Sequence, residues 1–332
     1  MATLARTPEI NLLSNTIQCW VLTDGKAGME SQCVGLAEKL GLTPVVKRIS
    51  PRLPWSKLPP QLWISPFSAL SLAGDILEPP WPDILIATGR QTVALALAIK
   101  KANRSTLTVQ IQNPTLDLKR FDLVIAPAHD RLVGDNIVST AGALHGVTPQ
   151  KLEDAGKAFS SRYADLKKPL IGVLVGGTNK KYRFTKENAE QFASLLKEAA
   201  QSSGGSLAIT PSRRTGAENL KIIKTALSEQ PADIWDGSGD NPYFGILALA
   251  DSFVVTGDSV NMVSEAVATG KPVHVFHLSG GSAKFSRFHH KLERQGKTRP
   301  FNGQIEHWDY PETDDMTLAA VAVEKAWNAY RN

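Results

Sequence analysis

Twice along the chain, short runs rich in valine and isoleucine alternate with stretches of helical periodicity, and this double alternation restricts the available folds. The first series of apolar runs is Ile17–Thr23, Asp83–Thr88, Thr106–Ile111, Leu123–Ala126 and Ile137–Ser139. The second is Leu170–Val175, Ser206–Thr210, Ile234–Trp235, Phe253–Thr256 and Val273–Phe276. None alternates cleanly between apolar and polar residues. Strands covered on both faces read this way, and two-sided burial marks parallel sheets flanked by helices. Between the runs, Met29–Leu40 places Met29, Cys33, Leu36, Ala37 and Leu40 on one stripe. Thr185–Gln201 opens on a capping threonine, with Glu187 and Glu190 in its first turns. The expected class is α/β, with two Rossmann-like domains facing a cleft.

The seam between the two series falls at Lys167-Lys168-Pro169, where proline ends the preceding helix. The 332 residues divide on this reading into a flexible leader (1–16), a first domain (17–167), a second domain (168–314) and a terminal segment (315–332). A last helix, about Thr317–Arg331, is expected to cross back onto the first domain. Asp314-Asp315 sets its N-cap. The Pro- and Trp-rich stretch Pro51–Pro66 reads as an irregular, exposed apolar loop.

Hydrophobic residues make up 42% and charged residues 21%, enough apolar material for two cores. The formal charge of +5 suits an anionic substrate or an anionic membrane surface, and no nucleic-acid motif accompanies it. Cys19 and Cys33 fall in a strand and on the apolar side of a helix, as reduced core residues of a cytosolic chain do. No apolar stretch is long enough to span a bilayer, and the N-terminus lacks secretory character.

Residues able to hold a ligand gather just beyond the strands, where open α/β sheets bind ligands. In "VLTDGKAGMESQ", from Val21 to Gln32, a strand turns on Gly25 and Gly28 with Lys26 between them. That is either an anion cradle or a plain βα turn, and its spacing meets neither G-x-G-x-x-G nor a Walker A loop. After Val175 come Gly176, Gly177, Thr178, Asn179, Lys180, Lys181 and, two residues on, Arg183. After Thr210 come Ser212, Arg213 and Arg214; after Thr256 come Gly257, Asp258 and Ser259, opening a helix that carries Asn261, Met262 and Glu265. Amide groups, helix N-termini and guanidinium forks at three strand ends suit a diphosphate. Glu265 is either an acceptor for both hydroxyls of a ribose or an exposed helix glutamate.

The segment from Ala250 to Phe276 resembles the donor-site segment of GT-B glycosyltransferases, such as those making peptidoglycan lipid precursors. The matching residues are Ala250-Asp251, Gly257 to Val260, Ser264-Glu265 and Gly270-Lys271-Pro272. The resemblance implies that Glu265 binds the nucleotide ribose and that Ser259 to Asn261 lie against the diphosphate. Asp258 departs from the pattern, where small neutral residues are usual. An anion there is unfavourable unless it points away or binds a sugar hydroxyl. From about residue 17 to 325, the chain is also similar to the Elm mitochondrial-fission family and its bacterial relatives. The carrying stretches are "TDGKAGMESQ", "GGTNKKYRF", "TPSRRTG", "NPYFGILALAD", "TGDSVNMVSEA" and the tail from Lys284 to Asp314. This resemblance implies a GT-B-like fold more securely than a reaction. Plant members are associated with the mitochondrial outer membrane and fission, and some bacterial members are labelled nucleotide-sugar epimerases. The first-strand G-x-x-G-x-x-G that precedes the Tyr-x-x-x-Lys pair of an epimerase is absent, so nothing here resembles that combination.

An inverting transfer needs a base for the acceptor hydroxyl. The first domain offers Asp24, Glu30, His129 and Asp130 near strand ends, and Asp24 and His129 are the catalytic expectations. Asp24 either faces the cleft or caps the helix at 28–40; His129 is either oriented by Asp130 or braces a turn. Gly25, Lys26, Gly28 and Arg90 are expected on an anionic acceptor or the departing phosphate, and Gln110 and Asn113 on sugar hydroxyls. The remaining histidines show no ligand spacing, so no metal is expected, and no cofactor beyond the donor substrate. Lys284–Arg299 is basic, with Phe285, Phe288 and Leu292 at helical spacing; they either pack inward or form a patch on anionic lipid. The reading is a metal-independent inverting glycosyltransferase, with a nucleoside-diphosphate sugar on residues 170–310 and a glycan or lipid-linked acceptor on residues 17–165. The alternative is a non-catalytic adaptor on the same scaffold; an NAD-type oxidoreductase lacks its fingerprint. The expected location is cytoplasmic, with peripheral docking on the inner membrane.

Overall fold

In a computed structural model of the chain, residues 12–14, 16–311 and 314–331 are described. The expected leader lies outside the described residues except at 12–14 and 16. Two compact units form, Met1–Gly146 with Asp314–Asn332, and Val147–Thr313.

The first unit runs β1 (Cys19–Thr23), α1 (Ala27–Lys39), β2 (Val45–Arg48), β3 (Ile84–Thr88), α2 (Val93–Ala102), β4 (Leu107–Ile111), β5 (Leu123–Pro127) and β6 (Ile137–Thr140). Its six strands are parallel in the order β2-β1-β3-β4-β5-β6. Both faces are covered, which explains the unbroken apolar runs. Cys19 and Val21 join the core of Cys33, Leu36 and Leu40, while Trp20 and Leu22 join the core of Leu95 and Ile99 on the other face.

The second unit opens with α3 (Pro149–Phe159) and continues through β7 (Leu170–Val175), β8 (Tyr182–Arg183), α4 (Lys186–Ser203), β9 (Ser206–Pro211), α5 (Ala217–Ala226), β10 (Ala232–Ile234), α6 (Tyr243–Leu249), β11 (Ser252–Thr256), α7 (Val260–Val267), β12 (Val273–Phe276), β13 (Ser279–Gly280), α8 (Ala283–Arg294) and β14 (Thr298–Pro300). Its parallel order is β10-β9-β7-β11-β12-β14; β8 and β13 pair separately and antiparallel. Ile171, Val173 and Val175 face Phe192 and Leu196, and Leu170 and Leu174 face Ile246 and Leu247. Gly172 lets α6 down onto the sheet, since a Cβ there would lie 2.8 Å from both Ile246 and Phe253. Full burial of Phe192, Phe253 and Phe288 stabilises by about 1.5–3 kcal/mol each.

The unit boundary corrects the one drawn at Lys167-Lys168-Pro169. Helix α3 precedes that seam yet packs on α6: a Cβ on Gly245 would lie 2.6 Å from Phe159. The chain therefore changes unit before α3. The last helix, α9 (Asp315–Arg331), starts two residues earlier than expected and buries Met316, Ala319, Val323 and Trp327 in the core it shares with α1. The two aspartates divide the work at its start: Asp314 accepts the Thr317 N–H (2.8 Å), and Asp315 accepts the N–H groups of Ala141 and Gly142 (2.8 Å each). Strands β2 and β14, both at sheet edges, escape the sequence reading. Val45 of β2 is half exposed, and β14 ends on Pro300, which an edge tolerates.

Candidate functional site

In the second sheet the chain runs outward from β7 through β9 to β10, then returns past β7 to β11. The connections thus reverse between β7 and β11, the place where doubly wound sheets bind ligands. The register sets Val175 opposite Pro211 and Leu174 opposite Val255, so three turns start at one level.

Those turns are tied together around Asp258. Its carboxylate accepts from the Gly177 N–H (3.0 Å), the Thr256 hydroxyl (2.7 Å) and the Arg214 guanidinium (2.9 Å). The Thr256 hydroxyl in turn accepts the Gly176 N–H (2.7 Å). The Gly176 carbonyl accepts from the Ser212 and Thr215 hydroxyls (3.0 and 2.7 Å), and the Thr178 N–H donates to the Arg214 carbonyl (3.1 Å). Asn179 Nδ2 donates to the Asp258 carbonyl (3.2 Å). Burial raises the Asp258 pKa above the ordinary carboxylate value, although Arg214, Thr256 and Gly177 all favour the anion. Both glycines are required: a Cβ on Gly176 would sit 2.1 Å from the Asp258 carboxylate, and one on Gly177 would sit 2.0 Å from the Arg214 carbonyl.

This arrangement revises two expectations. The Asp258 side chain has no exposed area, so it contacts the turns and Arg214 rather than solvent. The guanidinium it orients is that of Arg214, 38% exposed, while the neighbouring Arg213 is exposed and has no hydrogen-bond or ion-pair partner among the described residues. Sequence could not tell which of two adjacent arginines turns inward. Lys180 is exposed, and Arg183 donates to the Asn179 carbonyl (2.8 Å).

Helix α7 starts at the third turn. The Ser259 hydroxyl caps it by accepting the Met262 N–H (3.3 Å), and Asn261 is half-buried in its first turn. Glu265, on the same helix, is 7% exposed, so it is not the solvated glutamate of the alternative reading. It accepts a hydrogen bond from the Tyr243 hydroxyl of α6. Burial pushes Glu265 up to about 7, opposed by that bond, and pushes Tyr243 well above its ordinary value. Tyr243 is a contact sequence reading missed; it lay inside "NPYFGILALAD" without a motif of its own. His289 Nε2 lies 2.8 Å from the Gly257 carbonyl, beside the His277 ring at 4.9 Å.

The expected residues of the first unit sit in separate local settings. Gly25 takes φ +76°, but Gly28 is the second residue of α1 rather than part of the turn. Asp24 does not cap α1; it forms an ion pair with exposed Lys26. Glu30 pairs with Arg48 (2.6 and 2.9 Å). His129 is buried at the end of β5, with Nε2 3.9 Å from Asp130. Arg90 donates to the carbonyls of Ser56, Lys57 and Leu58 (2.8, 3.3 and 2.6 Å), so it clamps the Pro51–Pro66 stretch. Gln110 is buried in β4 and donates to the Ile111 carbonyl, and Asn113 makes a local turn with the Thr115 N–H. Both are therefore held by their own strands and turns.

The apolar side of α8 faces inward, where Phe288 and Leu292 are buried and Phe285 meets Tyr182 edge-on at 5.0 Å. Exposed apolar side chains gather instead at Leu53, Leu62, Ile64, Leu72 and Ile76. Among the described residues, no group of three His, Cys, Asp or Glu is placed to hold a metal, and no helix is long and apolar enough to cross a membrane. A cavity of about 600 Å³, lined by Asp83, Arg104 and Ser105 among others, lies at the amino ends of β3 and β4, opposite the edge where such sheets hold ligands.

The family model described as mitochondrial fission ELM1 matches residues 27–327. The mitochondrial fission protein ELM1 of Arabidopsis thaliana is 36% identical over 285 residues, 77% of this chain; the chain spans 66% of the length of that plant protein. UDP-GlcNAc 2-epimerase of Methanocaldococcus jannaschii superposes over 95% of this chain and 94% of its own, with a TM-score of 0.53 and 11% identity. UDP-GlcNAc 2-epimerase of Neisseria meningitidis, solved with UDP-GlcNAc, superposes over 86% and 87% with a TM-score of 0.51 and 13% identity. At such identities the likeness speaks to the fold. The chain belongs to the mitochondrial fission ELM1 family and has a GT-B-like fold of two Rossmann-like domains.

Proposed function

We propose that the second unit binds a nucleoside-diphosphate sugar and that the chain transfers the sugar, with inversion and without a metal ion, to a glycan or lipid-linked acceptor held by the first unit. The observation that carries this reading is the joining of three strand-end turns, Arg214 and the start of α7 at the reversal point of one parallel sheet. In it, Arg214 and Arg213 take the phosphates with Ser212, Lys180 and Arg183 near by. The amide end of α7 at Ser259 to Met262 stabilises the leaving diphosphate, and ionised Glu265 accepts the ribose diol. Asp258 acts through Arg214. Asp24, with Lys26 beside it, is the base, and His129 is the second candidate. UDP is the first nucleotide to try, because two similarly folded proteins are UDP-GlcNAc enzymes. The cytoplasm is the proposed location, with Leu53, Ile64 and Leu72 beside Arg52 and Lys57 as the surface nearest in character to a membrane contact.

Isothermal titration with UDP-, GDP-, ADP- and CMP-sugars tests the donor site. Binding by one of them, lost in Glu265→Ala, is expected; no binding by any sinks it. A second reading is an adaptor without turnover, in keeping with the family's name. It is favoured by Asp258, whose carboxylate already holds the Gly177 amide and Arg214 as a ligand phosphate would. Nucleotide binding with no transfer to any acceptor would select it.

A further inference from the structure

We propose that Tyr243 is a positioning residue of the nucleoside subsite, its hydroxyl standing on Glu265 in the place that a ligand's vicinal diol takes. The inference rests on the donor-site reading above. Tyr243 is only half-buried at the start of α6, whereas Glu265 beneath it is 7% exposed. Part of the Tyr243 side chain thus reaches the surface, while its hydroxyl is buried against Glu265; exchange for a ligand requires the ring to swing outward and carry the hydroxyl to water. A ribose offers two O–H donors to the two carboxylate oxygens, and Tyr243 offers one. The exchange keeps the Tyr243-bound carboxylate oxygen paired in both states and supplies a second donor when the ligand is bound.

Few other groups act on Glu265. Helix α6 carries no further titratable side chain, and β11 carries none. On β12, His274 is held by the Phe253 carbonyl and the Glu306 N–H. Helix α8 contributes Phe288 and Leu292 to the shared core, with His289 on the Gly257 carbonyl. In the turn before α7, Asp258 is held by Arg214. Burial raises Glu265 to about 7, and Tyr243 is the group that pulls it back. Only the ionised carboxylate accepts from both ribose hydroxyls. Affinity for a nucleotide sugar should therefore climb about tenfold between pH 6 and pH 8, following the ionised fraction.

The experiment is isothermal titration of the full chain with UDP-, GDP-, ADP- and CMP-sugars from pH 6 to 9, for wild type, Tyr243→Phe and Glu265→Gln. The sugar diphosphates are diesters and do not titrate in this range. For Tyr243→Phe the midpoint of the affinity profile should move to higher pH, with affinity above it no weaker than wild type. Glu265→Gln should bind more weakly with a flat profile. A Tyr243→Phe loss of equal size at every pH, with the midpoint unmoved, overturns the proposal and leaves the donor site standing; so does a flat wild-type profile. No binding by wild type at any pH overturns both.

Discussion

Each sheet reverses its connections once, between β1 and β3 in the first unit and between β7 and β11 in the second, and a glycine turns the chain at each place. The two turns differ in what surrounds them. A Cβ on Gly25 would meet nothing within 4 Å, while one on Gly177 would lie 2.0 Å from the Arg214 carbonyl. Polar side chains at the first reversal pair off separately: Asp24 holds Lys26, Glu30 holds Arg48, and Arg90 holds the carbonyls of residues 56–58. At the second they serve one another, through one buried carboxylate. A shared topology thus places two candidate edges, and convergence of three turns on one buried carboxylate makes one of them a joined site.

The sharpest way to break this comparison is Gly177→Ala. Its φ of +154° disfavours any side chain, and the added carbon meets backbone that cannot swing aside. Strain of about 1–3 kcal/mol and overpacking of about 1–3 kcal/mol should together cost about 4 kcal/mol, read by urea unfolding. A loss under about 1 kcal/mol would mean that the three turns are not locked together.

Glu265→Gln should move stability the other way, increasingly so as pH rises above about 4.5. The folded carboxyl titrates near 7 against an ordinary value of 4.5, so the folded chain binds more protons between those values. Wild-type stability therefore falls as pH rises through that window, by about 3 kcal/mol at about 1.4 kcal/mol per pH unit. The glutamine variant lacks this loss. It should match wild type near pH 4.5 and exceed it at pH 8; equal unfolding curves at pH 8 would contradict the burial assigned to Glu265.

How far the sequence foretold this contrast depends on the kind of signal. Central strands announced themselves because residues such as Val21 and Val173 are buried on both faces, leaving no polar alternation. The turns at 176–179, 212–215 and 257–259 were legible through strand ends and glycine. What sequence could not supply was direction. Nothing in "SRR" says that Arg214 rather than Arg213 meets Asp258, since both flank the same turn. Nothing local to α3 says that it packs on α6, because that contact depends on Gly245 accepting Phe159. Arg90 looked available for a ligand because its carbonyl partners lie more than thirty residues upstream.

Arg214→Ala should cost less than the glycine change. It strips the cation from a carboxylate with no exposed area, a loss of about 3 kcal/mol or more for a fully buried pair; the guanidinium's 38% exposure reduces this to about 2 kcal/mol. The loss should shrink in acid, where Asp258 takes up a proton instead of staying charged. Unfolding of Arg214→Ala and wild type at pH 8 and pH 5 checks this, and a loss unchanged between them would count against the ion pair as its source.

Gly25→Ala closes the comparison with the smallest effect. Its φ of +76° lies in the left-handed region, where alanine costs about 1–2 kcal/mol, but the open space around it adds nothing further. Asparagine tolerates that region better, so Gly25→Asn should recover part of the loss. Neither variant should approach Gly177→Ala in urea unfolding. If Gly25→Ala costs as much, the first turn is packed as tightly as the second, and the contrast between an open bend and a joined site fails.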